Sequence, residues 1–580
     1  LCRRLGVGSC LLTARQLNQG RVMAAQGSIL GNAVTRNEDP GLLTGSNEYV
    51  DDLDIDAAQI VFVRSTMAHA ILLEVDISEA VNMPGVLAVY TAENLELTAV
   101  NQSEFMDPSM NRPPLASGRV RFVGDIIAAV VAESKSQGVD AAEQIIVDYD
   151  PLPANADIEA AVADDAPILW EGAENNVCFA IGNEYDGPDV TEGADVVVSE
   201  RIVTQRLAGV PMEPNGCVAI PEGDSMTFYA STQAAHGLRD GLAPNLGLEP
   251  DNLRVIAPWV GGGFGPKAGL YIEYILCGKA AQQLNQPVRW AEQRGENMVS
   301  MAQGRAMVMN AEMGVNKDGS IVGLKARVVA DAGAYPAIGA VLPMLTMQLS
   351  QAVYDIPAID FFAQSVVTNT TFIGAYRGAG RPEATQMVER VLDKAAAAIG
   401  MDPADIRRKN YLQPDAFPLT TLVGANYDSG EYERSLDAVL EASGYSELRA
   451  EQTRRRETND PMLLGIGVSS YVEVTAPIGL HLEYGSCEIN DDGSATIKVG
   501  TSSHGQGHDT AFSMLVNDVL GIPMDQVNHV DADTETVARG SGTMGSRSLQ
   551  AGGSAVYEAS KVVLEKGKQL AATLLEASAD

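Results

Sequence analysis

The 580-residue chain is poor in cysteine, in positive charge and in long apolar runs. Its six cysteines stand at positions 2, 10, 178, 217, 277 and 487, with no CxxC pair and no His/Cys group at zinc spacing. This pattern argues against a disulfide framework, a zinc site or an iron–sulfur site on this chain. The longest apolar runs, such as IIAAVVA at 126–132, are far shorter than the ~20 residues of a membrane helix. They are typical of buried strands.

Positive charge is scarce, with 40 basic against 76 acidic residues and a formal net charge of -36. Such a surface repels both a phosphate backbone and an anionic membrane. We therefore expect neither nucleic acid nor a membrane as a partner. A uniformly acidic surface is typical of a solubility device or of adaptation to a salty cell interior.

Acidic residues are missing from the first 37 positions, which carry five arginines. This composition superficially resembles a transit peptide. The chain does not begin with methionine, so a stretch read upstream of Met23 explains it equally well. No secretory apolar segment is present, so we expect a cytoplasmic protein and set residues 1–27 apart as a tail without an assigned role.

The length predicts several domains, each with its own core. Short β-branched runs alternate with short helical stretches over 28–150, a Pro/Asp/Ala-rich segment at 151–185 is typical of a linker, and a polar break near 455 separates 186–455 from 456–580. The predicted fold class is mixed α/β (α+β).

Four glycine-rich turns precede predicted helices, and the first three follow strand-like runs. They are VGGGFGPK at 260–267, IGAYRGAGRP at 373–382, VGTSSHGQG at 499–507 and GSGTMGSRSLQAGG at 540–553. Such turns present unpaired N–H groups and the positive end of a helix dipole. With Lys267, Arg377, Arg381 and Arg547 interleaved, the four turns predict one large, multiply anionic ligand.

Two familiar nucleotide motifs do not fit the first turn. Pro266 separates the last glycine from Lys267 and no Ser or Thr follows, which excludes the Walker A spacing. The dinucleotide fingerprint fails as well, because Pro266 stands where its third glycine belongs. An NAD-dependent oxidoreductase is therefore disfavoured, and a ligand held by several separated loops is preferred.

The motifs GGGFGPK, AYRGAGRPEA, GQGHDT and GSGTMGSRS resemble the molybdenum-cofactor loops of the xanthine dehydrogenase, aldehyde oxidase and carbon monoxide dehydrogenase large subunits. The segments GNAVTRNEDPGLLTGSNEYVDDL, MPGVLAVYTAENL and VRFVGDIIAAVVAES are similar to that family's α/β hammerhead domain. The resemblance implies a hammerhead domain at 28–150 and two molybdopterin-binding domains at 186–455 and 456–580. The second would be incomplete and the chain truncated at its C-terminal end.

The resemblance implies a molybdenum–molybdopterin cofactor, in the cytosine dinucleotide form, between the two binding domains. No protein side chain is expected to ligate the metal directly. The residues that would hold the cofactor are Gln233, Gly263, Phe264, Gly265, Arg377, Gln506, Gly507, His508, Gly545, Ser546, Arg547 and Ser548.

Arg377 is the catalytic candidate, because a fixed guanidinium can stabilise negative charge that develops on an attacked carbonyl or ring. The alternative is a structural ion pair with Glu383 or another carboxylate. Carbon monoxide oxidisers of the family carry a cysteine close to this arginine to hold copper, whereas Gly378 follows Arg377 here. This departure argues against carbon monoxide oxidation.

The family reaction is hydroxylation of an aldehyde or N-heterocycle, with water as the oxygen donor and hydride passing to the metal's sulfido ligand. Electrons then leave for iron–sulfur clusters and a flavin. Since this chain is poor in cysteine, an iron–sulfur small subunit and an FAD-binding medium subunit are expected as partners, in a dimer of heterotrimers. The substrate stays open.

The family's base glutamate lies in a GxGE-type segment that this sequence lacks. Glu273 and Glu473 are better interpreted as structural carboxylates, so the fragment itself is expected to be inactive. A non-catalytic remnant of the same fold is the alternative. The histidines other than His508 share no spacing, and we treat them as ordinary side chains.

Overall fold

The computed structural model describes residues 27–101, 105–477 and 481–579. Almost all of the predicted tail 1–27 lies outside these ranges, as do Cys2, Cys10 and the terminal Asp580. Within the described ranges, no helix is long and apolar enough to cross a membrane.

The N-terminal region alternates short strands and helices, as its sequence pattern predicts. The run 126–132 forms a strand whose seven residues are all buried. The helix that follows is capped by Ser134, whose side chain accepts from the Gln137 N–H. The elements are α1 Asp39–Thr44, β1 Ala58–Arg64, β2 Ala70–Asp76, β3 Val86–Thr91, β4 Arg119–Val120, β5 Ile126–Ala132, α2 Lys135–Ala142, β6 Ile146–Pro151 and α3 Ile158–Ala161.

The central region is the longest. Its elements are β7 Val177–Gly182, β8 Val196–Ala208, β9 Gly216–Glu222, β10 Ser225–Ala230, α4 Ala235–Leu246, β11 Leu253–Ile256, α5 Ile272–Leu284, β12 Val288–Ala291, α6 Arg294–Ser300, β13 Gln303–Val315, β14 Ile321–Gly333, α7 Pro343–Gln348, β15 Ile359–Val367, α8 Arg381–Ile399, α9 Pro403–Asn410, β16 Leu419–Thr420, β17 Asn426–Tyr427, α10 Tyr432–Ser443 and α11 Tyr445–Glu457. A five-stranded sheet of order β7-β15-β14-β13-β8 organises its second half.

The C-terminal region is smaller. Its elements are β18 Gly485–Ile489, β19 Ala495–Val499, α12 His508–Leu520, β20 Val527–Val530 and α13 Ser554–Leu575. The three strands form one sheet in sequence order. A π-helical turn, Ser548–Gly553, leads directly into α13.

One sheet joins the N-terminal and central regions. Its seven strands run β11-β10-β9-β12-β1-β5-β3, and β1 meets β12 in parallel with Ala58 opposite Val288. The predicted linker at 151–185 contains β7, which pairs antiparallel with β15. The two regions therefore share a core, and the domain boundaries given above stay predictions.

Three helices after the glycine-rich turns have the predicted buried faces. Met387, Val388, Val391, Leu392 and Ala395 of α8 are fully buried, and Gly400 ends that helix with φ 72. In α5 and α12, the residues at helical spacing are likewise buried or half-buried.

The strand-like run before the second turn is a different structure. Ile373 makes only an isolated bridge with Gln303, because β15 ends at Val367 and the chain then leaves the five-stranded sheet. The prediction of a strand there is wrong.

Candidate cofactor and active site

The four glycine-rich turns converge on one cavity of about 1300 Å³. The opening turn contributes Gly261, Gly262, Phe264, Gly265 and Pro266, whereas Gly263 lies against the Gln233 side chain and not on the cavity. The turn before α8 contributes Gly374 to Ala379 and Arg381, and the turn before α12 contributes His504, Gly505 and Gln506 but not Gly507. The last turn contributes Thr543 to Leu549. Turns that are almost 300 residues apart in sequence therefore form a single wall, as the sequence predicts.

Gln233 joins two of the four turns. It is 2% exposed, and its side-chain oxygen accepts from the Gly265 N–H at 2.8 Å. Its side-chain nitrogen donates to the Thr543 carbonyl at 2.9 Å, and its backbone N–H donates to the Lys267 carbonyl at 3.0 Å. One buried amide thus fixes the first turn against the last.

The glycines of the opening turn are required by contact distances. A Cβ on Gly263 would lie 2.5 Å from the Gln233 side chain, and one on Gly265 would lie 2.4 Å from the Ala375 carbonyl oxygen. Gly265 also has φ +106, which side-chain-bearing residues rarely adopt. These two glycines are therefore needed for close packing of the first turn on Gln233 and on the second turn.

Phe264 is held in the left-handed region, with φ 57. The Arg377 N–H donates to its carbonyl at 2.8 Å, which ties the first turn to the second. Its side chain is 38% exposed and lines the cavity. Non-glycine residues in this conformation cost free energy and cluster at ligand sites.

Arg377 lines the cavity with a guanidinium that has no ion pair or hydrogen bond among the described residues. The proposed partner Glu383 is instead buried and lies 3.4 Å from Arg305. Arg305 also donates to the Arg377 carbonyl at 2.5 Å. Among the described residues, Arg377 therefore forms no ion pair with Glu383, which pairs with Arg305, or with another carboxylate.

The other three cations are neutralised by carboxylates. Lys267 is 1% exposed and lies 2.8 Å from Glu213. Arg381 lies 3.0 Å from Glu473, and the buried Arg547 is paired with Glu483. Three of the four cations, Arg377, Arg381 and Arg547, line the cavity, and among these four described cations Arg377 alone has no protein counter-ion.

Glu213 is a site residue that the sequence reasoning missed. Its Oε2 accepts from Lys267 Nζ, from the Gly261 N–H and from Ser231 Oγ, each at 2.8 Å. Burial lowers the pKa of Lys267, and the Glu213 carboxylate opposes that shift. No local motif marks Glu213, since it follows an irregular segment and acts across 54 residues.

The turn before α12 presents His504 and Gln506 to the cavity. The Gln506 side chain accepts from the His504 N–H at 2.6 Å and donates to the Ser502 carbonyl at 3.1 Å. Gly507 has φ 86 and caps α12. Burial lowers the pKa of His504 to about 4, so this ring is neutral at pH 7.

His508 lies behind the wall. It is 4% exposed and its ring packs 5.0 Å from that of Phe512, because the first turn of α12 directs it into the core. Burial lowers its pKa to about 3, and His529 and His504 add to the shift. His508 therefore does not line the cavity, whereas His504, which the sequence analysis treated as an ordinary side chain, does.

The last turn brings Gly545, Ser546, Arg547 and Ser548 to the cavity, as predicted. Ser546 Oγ donates to Glu473 at 3.1 Å, and the hydroxyls of Thr543 and Ser548 lie 3.0 Å apart. Glu473 is thus held by Arg381 and Ser546. Glu273 is 1% exposed and lies 2.8 Å from Arg64, so both carboxylates have structural partners.

Three family models match the chain in sequence order. An aldehyde oxidase and xanthine dehydrogenase a/b hammerhead domain covers 44–153, and two molybdopterin cofactor-binding domains cover 169–411 and 438–580. The carbon monoxide dehydrogenase large chain of Hydrogenophaga pseudoflava is 34% identical over 571 residues, covering 93% of this chain and 71% of the relative. This chain belongs to the molybdenum hydroxylase large-subunit family.

Other members of the family are comparably similar. The nicotine 6-hydroxylase large subunit of Paenarthrobacter nicotinovorans is 33% identical over 574 residues, covering 95% of this chain and 70% of the relative. The crystal structure of quinoline 2-oxidoreductase from Pseudomonas putida 86 superposes with a TM-score of 0.88 at 31% identity, covering 94% of this chain and 72% of that one. The predicted fold, a hammerhead domain followed by two molybdopterin-binding domains, is confirmed.

The comparisons make carbon monoxide oxidation a stronger candidate function than the sequence analysis did. The sequence analysis placed carbon monoxide dehydrogenase behind hydroxylation, yet a large chain of that enzyme is among the most similar relatives. The family assignment therefore establishes an oxidoreductase subunit that binds a molybdenum–molybdopterin cofactor, and leaves the substrate to be argued from the cavity.

The cavity residues fit this cofactor. Glycine backbone that no Cβ could replace, one bridging amide and an available guanidinium line a volume of about 1300 Å³. This exceeds the roughly 300–1,000 Å³ of ordinary small-molecule pockets. Among the described residues, no group of three or more His, Cys, Asp or Glu could ligate a metal.

Proposed function

We propose that this chain is the cofactor-binding subunit of an oxidoreductase that hydroxylates an aldehyde or an N-heterocycle, with water as the oxygen donor. The observation that carries the proposal is the single cavity lined by turns from both matched cofactor domains, with Arg377 available inside it. When bound, the cofactor supplies the two-electron redox centre and the activated oxygen.

The proposed form of the cofactor is the cytosine dinucleotide, which the family resemblance implies. The residues proposed to hold it are Gln233, Gly263, Phe264, Gly265, Arg377, Gln506, Gly507, Gly545, Ser546, Arg547 and Ser548. Gln233 orients the first and last turns, and the glycines let backbone N–H groups approach. Arg547 acts through its pair with Glu483, which fixes the last turn.

Arg377 is proposed to stabilise the negative charge that develops on the substrate during attack. The N–H donors of its guanidinium are available to a substrate because no described carboxylate pairs with them. A preorganised donor of this kind typically contributes two to three orders of magnitude to kcat, or about 3–4 kcal/mol.

Electrons are proposed to leave through an iron–sulfur small subunit to an FAD-binding medium subunit, in a dimer of heterotrimers in the cytoplasm. The relatives are named as a large chain and a large subunit, which supports separate partners. Among the described residues no three cysteines lie together, and Cys217 and Cys277, whose side chains contact each other, are fully buried.

Carbon monoxide oxidation is the second candidate, because a carbon monoxide dehydrogenase is among the most similar relatives. Copper(I) prefers thiolate and thioether ligands. The sequence has no cysteine between Cys277 and Cys487, and neither of these two lines the cavity. Hydroxylation is therefore the better supported function.

The test uses the chain purified with its partner subunits. We expect molybdenum and pterin in stoichiometric amounts, and dye reduction by an aldehyde or N-heterocycle. Arg377→Met is expected to lower kcat by about 10²- to 10³-fold, with the rate expressed per bound molybdenum so that any loss of cofactor is measured separately. Arg377→Lys tests whether a positive charge without the planar guanidinium is enough to keep kcat at the wild-type value.

Correctly assembled protein that contains no molybdenum would contradict the proposal. A full-rate Arg377→Met variant would refute the role of the guanidinium but leave the cofactor assignment standing.

A further inference from the structure

Arg305 lies in β13, behind the second glycine-rich turn, and its backbone is strained. It has φ 65, and the next residue, Ala306, has φ 64. Two consecutive non-glycine residues in the left-handed region cost free energy, and such strain is concentrated at functional sites. The strain brings no change of strand register, since β13 pairs with β8 in the same register on both sides of Ala306. A contact outside the sheet must therefore account for it.

The guanidinium of Arg305 binds the backbone of the second turn. Its Nη1 donates to the Tyr376 carbonyl at 2.9 Å, and its Nη2 donates to the Arg377 carbonyl at 2.5 Å. Its Cζ also lies 5.0 Å from the centre of the Tyr376 ring. Because the guanidinium is planar and rigid, two N–H donors on it fix both the position and the direction of the peptide that they bind.

A buried carboxylate holds Arg305 in this place. Glu383 is 1% exposed and lies 3.4 Å from Arg305 Nη1. The Arg305 side chain is itself only 10% exposed, so water and salt screen this ion pair poorly. Glu383 stands in the first turn of α8, where the helix dipole favours a negative charge. The Arg305 side chain therefore joins β13, the second turn and α8.

Arg377 depends on this contact for its position. Its N–H donates to the Phe264 carbonyl at 2.8 Å, and its carbonyl accepts from Arg305. Its side chain has no ion pair or hydrogen bond among the described residues, so the backbone sets the direction of the guanidinium in the cavity. A displacement of about 1 Å of a group that acts in a reaction can cost 10²-fold in rate. The contact that fixes this backbone therefore bears on the reaction.

We propose that Arg305 is a positioning residue for the reaction: held by Glu383, it fixes the carbonyls of Tyr376 and Arg377 and so directs the Arg377 guanidinium into the cavity. The inference rests on the proposed function, in which Arg377 stabilises developing negative charge. Arg305 does not line the cavity, so it acts through Arg377 and not by touching the substrate.

The first experiment is a double-mutant cycle on the chain assembled with its partner subunits. Dye reduction is measured with quinoline and with acetaldehyde, and rates are expressed per bound molybdenum. Arg305→Met should lower kcat by about 10- to 100-fold and leave KM within about threefold of wild type. In an Arg377→Met background, the same change should lower kcat by less than about twofold, because a positioning residue has no effect once the group that it positions is gone.

The cycle separates positioning from a general structural role. If Arg305 only stabilises the fold, the losses of the two single variants multiply in the double variant. That result, or a wild-type kcat in Arg305→Met beside an impaired Arg377→Met, overturns the inference alone. A wild-type kcat in Arg377→Met refutes the role proposed for that guanidinium and the inference with it. Molybdenum-replete protein that oxidises neither substrate contradicts the proposed function itself.

Arg327→Met is the matched control. Arg327 on β14 also donates to two carbonyls, those of Ala326 and Asp360, and pairs with the Asp360 carboxylate at 2.6 Å. These partners all lie outside the glycine-rich turns, so kcat should stay at the wild-type value. An equal fall of kcat in Arg327→Met and Arg305→Met overturns the inference.

Amide hydrogen exchange is a second readout, which does not depend on turnover. Arg305→Met should speed exchange of the Arg377 and Ala379 amides, which donate to the Phe264 and Tyr376 carbonyls, because the peptides around them lose an anchor. Arg305→Lys keeps the charge but not the planar pair of donors, so it should show part of both effects, and it replaces Arg305→Met if that variant does not assemble. Wild-type exchange of these amides in both variants overturns the inference.

Discussion

Glu292 is a carboxyl group held in the core beneath the opening turn. It is 6% exposed and accepts from the Asn215 N–H at 2.8 Å, Asn297 Nδ2 at 2.7 Å and Ser300 Oγ at 2.9 Å. Burial raises its pKa from 4.5 to about 7, against the effect of these hydrogen bonds, and Glu273 and Glu296 add to the rise. The folded protein therefore binds a proton here more tightly than the unfolded chain does.

The raised pKa predicts the sign of a pH dependence. Because the folded pKa exceeds the unfolded one, the free energy of unfolding falls as pH rises from 4.5 to about 7, by on the order of 3 kcal/mol. Glu292→Gln should shrink the stability difference between pH 5.5 and pH 8, measured by denaturant titration. Glu488→Gln, on an exposed position of β18, should leave that difference unchanged. An unaltered difference in Glu292→Gln would show that Glu292 does not titrate in this range.

At the scale of elements, the positions of the glycine-rich turns depend on one another because hydrogen bonds join one turn to the next. Arg377 ties the second turn to Phe264, and Gln233 ties the first turn to the last. A change at one contact point should therefore displace more than one turn.

Gly265→Ala tests this coupling. The new Cβ would meet the Ala375 carbonyl oxygen at 2.4 Å with φ +106, so the first two turns must separate. We expect much lower pterin and molybdenum content in the purified complex. Gly567→Ala on α13 is the control, since no described atom lies within 4 Å of the position that its new methyl group would take; it should retain the cofactor and gain up to about 1 kcal/mol of stability. Normal cofactor content in Gly265→Ala would contradict the close approach.

At the scale of the whole molecule, a segment near residue 38 fastens the first described residues to the C-terminal region. The buried Glu38 carboxylate accepts from the Thr510 N–H at 3.2 Å and from its hydroxyl at 2.5 Å, which caps α12. Burial alone would raise the pKa of Glu38, but the hydrogen bonds from Thr510 outweigh it and lower the pKa. Glu38 and Thr510, which form this cap, are 472 positions apart in the sequence.

Glu38→Ala should cost about 1–2 kcal/mol of stability, the usual effect of losing a helix cap, and should loosen the turn that carries Gln506. Limited proteolysis across 500–510 and denaturant unfolding would measure both effects. Glu79→Ala, at an exposed position without a side-chain cap bond, should stay within about 0.5 kcal/mol of wild type. Equal stability of the two variants would show that the cap contributes nothing.

The sequence by itself determined the mixed α/β class, the family and the four turns, because glycine pattern and strand or helix periodicity are local signals. The resemblance of these turns to the family's cofactor loops predicted Gln233, Phe264 and Arg377 as site residues. Only the tertiary structure decided which cations pair with carboxylates. Lys267 and Arg547 carry their charges in the sequence, but their carboxylate partners lie 54 and 64 residues away. Ion pairing depends on distance in space, so the chain order could not reveal that, of the four cations on the turns, Arg377 is the one that stays available.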